Sequence, residues 1–278
     1  MIDNLVINNL TLGSVASGYY FTKLAGFEFP ELRIDIKDRG NYDGARLGTY
    51  NYGRRIMSVE GELWGSTATD YESKRRALQL ALGISNGLTT LTINTKSGLT
   101  LEASVILNVQ LGAEYQKGNI IFGSFRIEFV APYPFLLSST STNTQVDPYT
   151  GGGGAIPSAI PFSLGVGGSG AETINNAGNG TEYPTIKIYG SIENPSMQNT
   201  TTGKQFSLSY NLSTSTDYIE IDTYNQTVLL NGVTNIRQYF SGDFITLEAG
   251  DNEIKLTSAS YDSNAHAIVT HKDSYLGI

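Results

Sequence analysis

Hydrophobic and polar residues alternate most regularly in the second half of the chain, within Asp217–Leu256. Ile219 and Ile221 alternate with polar neighbours, which is the period of a strand with one buried face. A returning strand is expected at Val228–Leu230. It ends at Asn231-Gly232, a dipeptide that favours the left-handed conformations of tight turns. This segment therefore predicts an antiparallel strand pair.

A second strand pair is predicted directly after the first. Phe244–Leu247 is apolar and alternating, Gly250–Asn252 is typical of a turn, and Ile254–Leu256 resumes the alternation. Short strands separated by Gly- and Asn-rich turns continue to the end of the chain. This spacing favours an antiparallel β-sandwich.

The first half predicts strands around one helix. Alternation at Phe27–Ile36 and Arg55–Trp64 indicates two strands, and the aperiodic Arg39–Tyr52 between them indicates a long loop. A helix is predicted over about Asp70–Leu82, with Thr69 as N-cap. Three further strands are expected at residues 89–95, 99–111 and 120–130.

The pattern predicts a mainly β protein of the β-rich α+β type, in three parts. Residues 1–137 form a sheet or barrel-like domain with one helix. Residues 138–182 form a Gly- and Ser-rich connector, because they hold too few apolar side chains to offset the entropy of ordering. Residues 183–278 form the antiparallel sandwich.

Charge separates the two halves of the chain. Residues 1–139 carry 13 basic and 13 acidic side chains, whereas residues 140–278 carry 5 and 13, so the second half holds the whole net charge of −8. An acidic surface argues against sequence-specific nucleic-acid binding. There is no cysteine, no run of ~20 apolar residues and no signal-like N-terminus. We expect a soluble protein without a membrane span, made in a cytoplasm.

The chemical motifs predict no catalytic, cofactor or metal site. The Gly165–Gly170 run matches G-x-G-x-x-G but precedes a poor helix former, so it is interpreted as linker. Glu220 and Asp222 are interpreted as the solvent face of a strand rather than an acid/base pair. A turn is expected at Asp251–Glu253, and His266 and His271 should point to opposite faces. The sequence predicts that this is not an enzyme.

Tyrosine and arginine are concentrated around the predicted long loop. Tyr50, Tyr52, Arg54 and Arg55 are candidates for a protein interface, because Tyr and Arg are common at interface hot spots. The alternatives are a solvated loop with scattered aromatics and, less strongly, stacking on nucleic acid.

Four segments resemble the distal tail protein family of long-tailed (siphovirus) bacteriophages. The first is Gly53–Gly65 running into the helix, and the second is Phe125–Leu136. The third is Tyr183–Pro195 followed by N-T-T-T-G-K-Q-F, and the fourth is I-E-I-D-T with V-L-L-N-G, followed by Leu247–Ile254. These two are similar to the C-terminal tail-component domain of that family. The resemblance covers most of the chain and is weakest in the Gly-rich connector.

The resemblance implies a structural protein of the virion, at the tail tip. Family members form a six-fold ring through N-terminal domains related to tail-tube proteins, and a galectin- or carbohydrate-binding-module-like sandwich projects outward. The ring joins the tail tube to tail-tip or baseplate hub proteins and to receptor-binding proteins, with a central channel for DNA. A ring also needs heterologous interfaces that close, and the Arg39–Arg55 loop with its adjoining strand is our candidate for them.

Two other functions remain open from the residues. In the first, the C-terminal sandwich binds cell-surface or cell-wall glycan through exposed tyrosines, with Tyr210, Tyr218 and Tyr224 as candidates. In the second, a glycosidase uses Glu220 and Asp222.

Overall fold

The computed structural model describes residues 1–83, 87–149, 171–214 and 216–278. The chain divides into two compact units. The first comprises Met1–Ser139 together with Tyr275–Ile278, and the second comprises Thr140–Ser274. Both units are built from antiparallel strands, which confirms the predicted mainly β fold class. The Gly-rich motif at Gly165–Gly170 lies outside the described residues.

The first unit contains two antiparallel strand series that share one long strand. Its elements are β1 (Ile2–Ile7), β2 (Leu10–Leu12), β3 (Tyr19–Ala25), β4 (Leu32–Asp38), β5 (Ala45–Tyr52), β6 (Arg55–Gly65), α1 (Ala68–Ala81), β7 (Thr89–Thr95), β8 (Thr100–Lys117), β9 (Ile120–Ala131) and β10 (Leu136–Val146), which continues into the second unit. The series are β2-β1-β7-β8 and β8-β9-β6-β3. The first half of β8 pairs with β7 and the second half with β9.

Alternation along β6 creates the core of this unit. Met57 and Val59 are fully buried, whereas Ile56, Ser58 and Glu60 lie on the other face, as predicted. β6 pairs with β9 along its whole length. Burial of such alternating side chains contributes ~1.5–3 kcal/mol for each large apolar residue.

The helix begins two residues earlier than the sequence predicts, and Thr69 is not its N-cap. Thr67 has the extended backbone of an N-cap, and its Oγ1 accepts a 3.1 Å hydrogen bond from the Asp70 amide. The Asp70 carboxylate in turn accepts from the Ser66 amide at 2.9 Å. Both threonines are good caps by composition. Thr67 is the N-cap because a helix that begins at Ala68 gives two backbone N–H groups a hydrogen-bond acceptor: Thr67 Oγ1 for Asp70, and the Asp70 carboxylate for Ser66.

The prediction of a long loop at Arg39–Tyr52 is wrong. Residues 45–52 form β5, which pairs with β4 to make a two-stranded hairpin around the turn 39–44. A shift in register between Ile34 and Ile36 adds a bulge to β5. The strand was missed because the bulge and the Gly and Asn residues of β5 interrupt its period-2 alternation.

The second unit is a sandwich of two main sheets. Its further strands are β11 (Ala171–Asn176), β12 (Thr185–Tyr189), β13 (Ile192–Glu193), β14 (Ser196–Asn199), β15 (Gln205–Leu208), β16 (Asn211–Leu212), β17 (Tyr218–Asp222), β18 (Thr227–Leu230), β19 (Thr234–Asn235), β20 (Phe240–Gly242), β21 (Gly250–Thr257), β22 (Ser260–Tyr261) and β23 (His266–Tyr275). One sheet includes β19-β18-β17-β12-β23, and the other is β11-β21-β14-β15-β20. Alternate residues of both sheets form one buried apolar cluster.

The first predicted strand pair is confirmed as β17 and β18, in the register Ile219↔Leu230 and Ile221↔Val228. Asn231 and Gly232 take positive φ values of 53° and 69°, as the Asn-Gly turn predicts.

The second predicted strand pair is wrong. Gly250–Asn252 begins β21, which pairs with β11 and β14, and Phe244–Leu247 contributes an isolated bridge between Leu247 and Glu182. The buried side chain of Asn252 explains the difference. Its side-chain amide donates to the carbonyls of Glu248 and Gly250, and its Oδ1 accepts from the Glu248 backbone N–H. The Asn252 side chain thus forms the hydrogen bonds with this backbone that a paired strand of a hairpin would otherwise form.

Candidate functional site

The most unusual surface of the first unit is one face of the hairpin β4–β5, which we call the hairpin face. Cross-strand pairing aligns three pairs of apolar side chains on this face: Leu32 with Tyr52, Ile34 with Tyr50, and Ile36 with Leu47. Their exposed fractions range from 41% for Tyr52 to 65% for Leu47. Six neighbouring large apolar side chains thus stay in contact with solvent.

Apolar and charged side chains of the hairpin lie on opposite faces. Arg33, Asp35 and Lys37 alternate with the apolar residues of β4 and so lie on the opposite face. The hairpin is therefore amphipathic in the same way as a strand that covers a core. Two-stranded hairpins are at best marginally stable in water without a surface to pack against. An extended apolar patch of this kind usually marks an interaction site.

The base of the hairpin is fixed by Arg55, which is fully buried. Its Nε donates to the Pro134 carbonyl at 2.7 Å, and its Nη1 donates to the carbonyls of Gly26 and Phe27, each at 3.3 Å. Nη2 donates to the carbonyl of Leu276. One guanidinium therefore joins three separate segments of the first unit where β5 ends and β6 begins.

Burial changes the acid–base behaviour of this side chain. Desolvation lowers the pKa of Arg55 from its ordinary value to about 10, because the charged form loses hydration. It remains charged near neutral pH, and the carbonyl dipoles offset part of the lost hydration. The role of Arg55 is thus internal.

Three of the four predicted interface residues are exposed at the hairpin, and the fourth, Arg55, is buried. Tyr50 and Tyr52 lie on the hairpin face, and Arg54 is exposed beside its base. Arg55 presents no surface to a partner. Tyr52 also contacts its own unit, since its ring lies 5.6 Å from that of Phe135 in an edge-on arrangement. The apolar residues Leu32, Ile34 and Ile36 were not among the candidates, although their period-2 spacing in the sequence was the available signal.

A second exposed apolar surface lies on the outer face of β6, β9 and β8. Ile56, Val130 and Ile106 are directly paired across these three strands and form one row, which we call the isoleucine row. Ile56 is 40% and Ile106 is 55% exposed. The next two rows along the strands are polar: Ser58, Glu128 and Asn108, followed by Glu60, Arg126 and Gln110. The apolar row therefore ends sharply on this face.

The three candidate glycan residues lie apart in the second unit. Tyr218 begins β17, whereas Tyr224 lies in the turn two residues after β17 ends. Tyr210 precedes β16, and its half-buried ring packs on Tyr239 at 5.3 Å. Tyr218 is half-buried against Tyr189, with a ring separation of 5.5 Å. Tyr224 is the most exposed of the three, at 44%.

Glu220 and Asp222 are engaged in structural contacts. Glu220 lies opposite Lys187 on β12, with Oε2 at 3.3 Å from Nζ, and this hydrogen bond raises the pKa of Lys187. Asp222 accepts two hydrogen bonds of 2.8 Å from Asn225, one from its backbone and one from its side chain, and so closes the turn after β17. Neither arrangement resembles a pair of carboxylates bracketing a substrate.

The histidines alternate across β23 as predicted. His271 is buried and its Nε2 lies 3.1 Å from the Asn175 carbonyl, whereas His266 stacks on Tyr189 on the other face. Asp251 and Glu253 lie within β21 and accept hydrogen bonds from Asn175 and Thr200. In the described part of the chain, no three His, Cys, Asp or Glu side chains come together as a group able to hold a metal ion.

Over the residues for which the structure gives a placement, no helix is both long enough and apolar enough to cross a bilayer.

The β fold of the described residues, with its amphipathic hairpin, is similar to solved structures of phage proteins. Residues 177–275 match the family described as siphovirus-type tail component, C-terminal domain. The resemblance to distal tail proteins is thereby confirmed for this domain and for the fold.

Two solved structures show how far the likeness extends. The crystal structure of the phage SPP1 Dit protein, described as a paradigm of the hub adsorption apparatus in phages infecting Gram-positive hosts, aligns with a TM-score of 0.66 at 14% identity and covers 98% of each chain. A chain of the phage P2 baseplate, in its activated conformation with Ca, aligns with a TM-score of 0.50 at 15% identity, over 96% of this chain and 97% of that one. Comparison with curated protein sequences finds no match.

Proposed function

We propose that the protein is a distal tail hub, a structural component of a phage virion at the tail tip. In this proposal six copies form a ring that joins the tail tube to the tail-tip or baseplate hub protein and to receptor-binding proteins. The ring leaves a central channel for DNA. The chain is made in the host cytoplasm and becomes part of the virion on tail assembly.

The observation that carries the proposal is the hairpin face. Among the described strands, β4 and β5 pair only with each other, and six large apolar side chains on one face of this hairpin remain 41–65% exposed. Such a surface has a physical reason in an assembly, where a neighbouring molecule covers it. The likeness to the SPP1 Dit structure over 98% of both chains supports a hub as the kind of assembly. Tyr50, Tyr52 and Arg54 are the proposed interface residues from the predicted set, and Arg55 is left out because it is buried.

The charge distribution fits the same role. The first half sums to zero charge, which allows identical copies to associate without mutual repulsion. The acidic second half suits a surface that remains in solvent or meets basic partners. We further propose that the protein has no catalytic activity, since Glu220 and Asp222, the carboxylates considered for catalysis, are held in a surface ion pair and a turn.

Native mass spectrometry of the full chain, combined with negative-stain electron microscopy, tests this proposal. We expect a species of six 30.0 kDa chains that becomes more populated with concentration and appears as a ring in end view. The matched control is the double variant Ile34→Ser/Tyr50→Ser, which should remain monomeric. A chain that stays monomeric at high concentration, and also in the presence of the tail-tube protein, contradicts the proposal.

Glycan binding is a second candidate function, and it is favoured by one observation. Tyr224 is 44% exposed and its ring is held edge-on by Tyr183 at 5.6 Å, which leaves an aromatic surface accessible to a sugar. Glycan-array binding that is lost in Tyr224→Ala but kept in Tyr218→Ala would support this function. Absence of binding by the wild-type chain to host cell-wall carbohydrate counts against it.

A further inference from the structure

The hairpin face and the isoleucine row are two exposed apolar surfaces on the same unit. We infer that the hairpin β4–β5 of one copy packs its hairpin face on the isoleucine row of a second copy. This contact rests on the proposed ring and specifies which surfaces close it.

The size of the hairpin face suits an interface between copies. The exposed fractions of its six side chains are 48% for Leu32, 48% for Ile34, 57% for Ile36, 65% for Leu47, 63% for Tyr50 and 41% for Tyr52. With ~200 Å² for each fully exposed side chain, these fractions leave on the order of 600 Å² of side-chain surface to cover. Covering the hairpin face alone therefore supplies about half of the ~1,200 Å² found at the lower limit of specific interfaces.

The isoleucine row suits the hairpin face in chemistry and in position. Ile56, Val130 and Ile106 belong to three neighbouring strands, so the row is ~10 Å wide, about the width of a two-stranded hairpin. Polar side chains begin in the next row, at Glu128. Contact between the hairpin face and the isoleucine row therefore joins apolar surface to apolar surface, whereas contact centred on the next row would bury carboxylate and amide groups at a cost in free energy.

The base of the hairpin is attached to the first unit through Arg55. Arg55 fixes its base to the segments at Gly26–Phe27 and Pro134. Beyond that base, β5 has eight residues, which reach ~25 Å in extended form. A fixed base reduces the entropy lost when the hairpin is ordered against a second molecule.

The contact is heterologous, because it joins two different surfaces of one chain. Each copy then donates a hairpin and accepts another, and repetition by a constant rotation gives either a closed ring or an open filament. Closure after six copies is the expectation of the proposed function. The inferred contact itself requires only that a hairpin meets an isoleucine row.

Disulfide trapping tests the contact in the full-length chain. The sequence has no cysteine, so each introduced thiol is unique. Ile34→Cys chains are mixed with Ile106→Cys chains and oxidised, and the matched control mixes Ile34→Cys with Leu80→Cys, whose position on α1 is 86% exposed. Tyr50→Cys serves as a second donor in case one pair misses disulfide geometry, which requires Cα atoms within ~7 Å.

We expect linked dimers at least fivefold more abundant in the Ile106→Cys mixture than in the control, with either donor. The double variant Ile34→Cys/Ile106→Cys should give a ladder of linked copies. Equal yields in both mixtures, or no linked dimer with either donor, overturn the inferred contact.

The state of the unmodified chain separates this inference from the proposed function. If native mass spectrometry detects six-copy rings but cross-linking shows no preference, the contact is wrong and the ring stands. If the preferred cross-link forms but assemblies never close, the contact stands and the ring is wrong. A monomer that gives no cross-link overturns both.

Discussion

Replacing Arg55 by methionine tests whether this residue acts inside the first unit or at its surface. Methionine fills much of the same volume but cannot donate hydrogen bonds, so the carbonyls of Gly26, Phe27, Pro134 and Leu276 lose a common partner. Arg54→Met is the matched control, because Arg54 is the exposed neighbour in the sequence.

The expected magnitude follows from two opposing contributions. Four hydrogen bonds from a charged donor contribute ~1.5–3 kcal/mol each, or ~6–12 kcal/mol together. The lowering of the pKa from its ordinary value to about 10 indicates that burial disfavours the charged form of Arg55. At ~1.36 kcal/mol per pKa unit, that cost is ~3 kcal/mol. Because the carbonyls regain part of their hydrogen bonding by relaxing toward water, we expect a net loss of ~3–5 kcal/mol.

Differential scanning calorimetry and urea unfolding of the full chain measure this loss. A loss of ~3–5 kcal/mol corresponds to a fall of ~10–15 °C in the melting temperature of a unit of this size. Arg54→Met should change stability by less than ~0.5 kcal/mol. Arg55→Lys keeps the charge but not the planar set of donors, and it should fall between the two. The reasoning is refuted if Arg55→Met and Arg54→Met unfold within ~1 kcal/mol of each other.

The double variant Ile34→Ser/Tyr50→Ser should keep the wild-type melting temperature of the monomer, because both side chains are exposed, but it should weaken association of the copies at least 100-fold. Analytical ultracentrifugation measures the monomer and the assembled species, and unchanged association refutes an interfacial role. Burial raises the pKa of Tyr19 to about 12, so its contribution to stability is complete below pH 10 and is lost as the pH rises from 10 toward 12. Urea unfolding from pH 9 to 11 should show this decline in the wild type and less of it in Tyr19→Phe; equal slopes contradict it. Thr67→Ala should cost ~1 kcal/mol and Thr69→Ala much less, and the reverse order would place the N-cap at Thr69 after all.

Alternation and turn composition predicted those strands and turns in which the pattern of the sequence matches the pattern of burial in the folded unit. β6 and β17 were found because each buries one face against a core, so alternation in the sequence reflects alternation in burial. The Asn231-Gly232 turn was found because its backbone conformation favours those two residues wherever they occur. The resemblance to distal tail proteins also came from such segments.

Prediction failed where a distant partner decides the structure. Gly250–Asn252 has the composition of a turn, yet strands β11 and β14 extend it into β21, and the side chain of Asn252 completes the preceding backbone. Arg55 was predicted to lie at a protein interface because Tyr and Arg are common at interface hot spots. Its burial depends on carbonyls that lie 28 and 221 residues away in the sequence, at Phe27 and Leu276.

The sequence by itself determined the mainly β class, the positions of the regular strands, the charge difference between the halves and the identity of the residue types available for recognition. Periodicity and composition encode these properties residue by residue. The tertiary structure alone decided that Leu32, Ile34 and Ile36 form an exposed face with Leu47, Tyr50 and Tyr52, and that Arg55 is an internal anchor. An amphipathic strand has the same pattern whether its apolar face meets its own core or is left for another molecule, and only the packing of the whole unit distinguishes these cases.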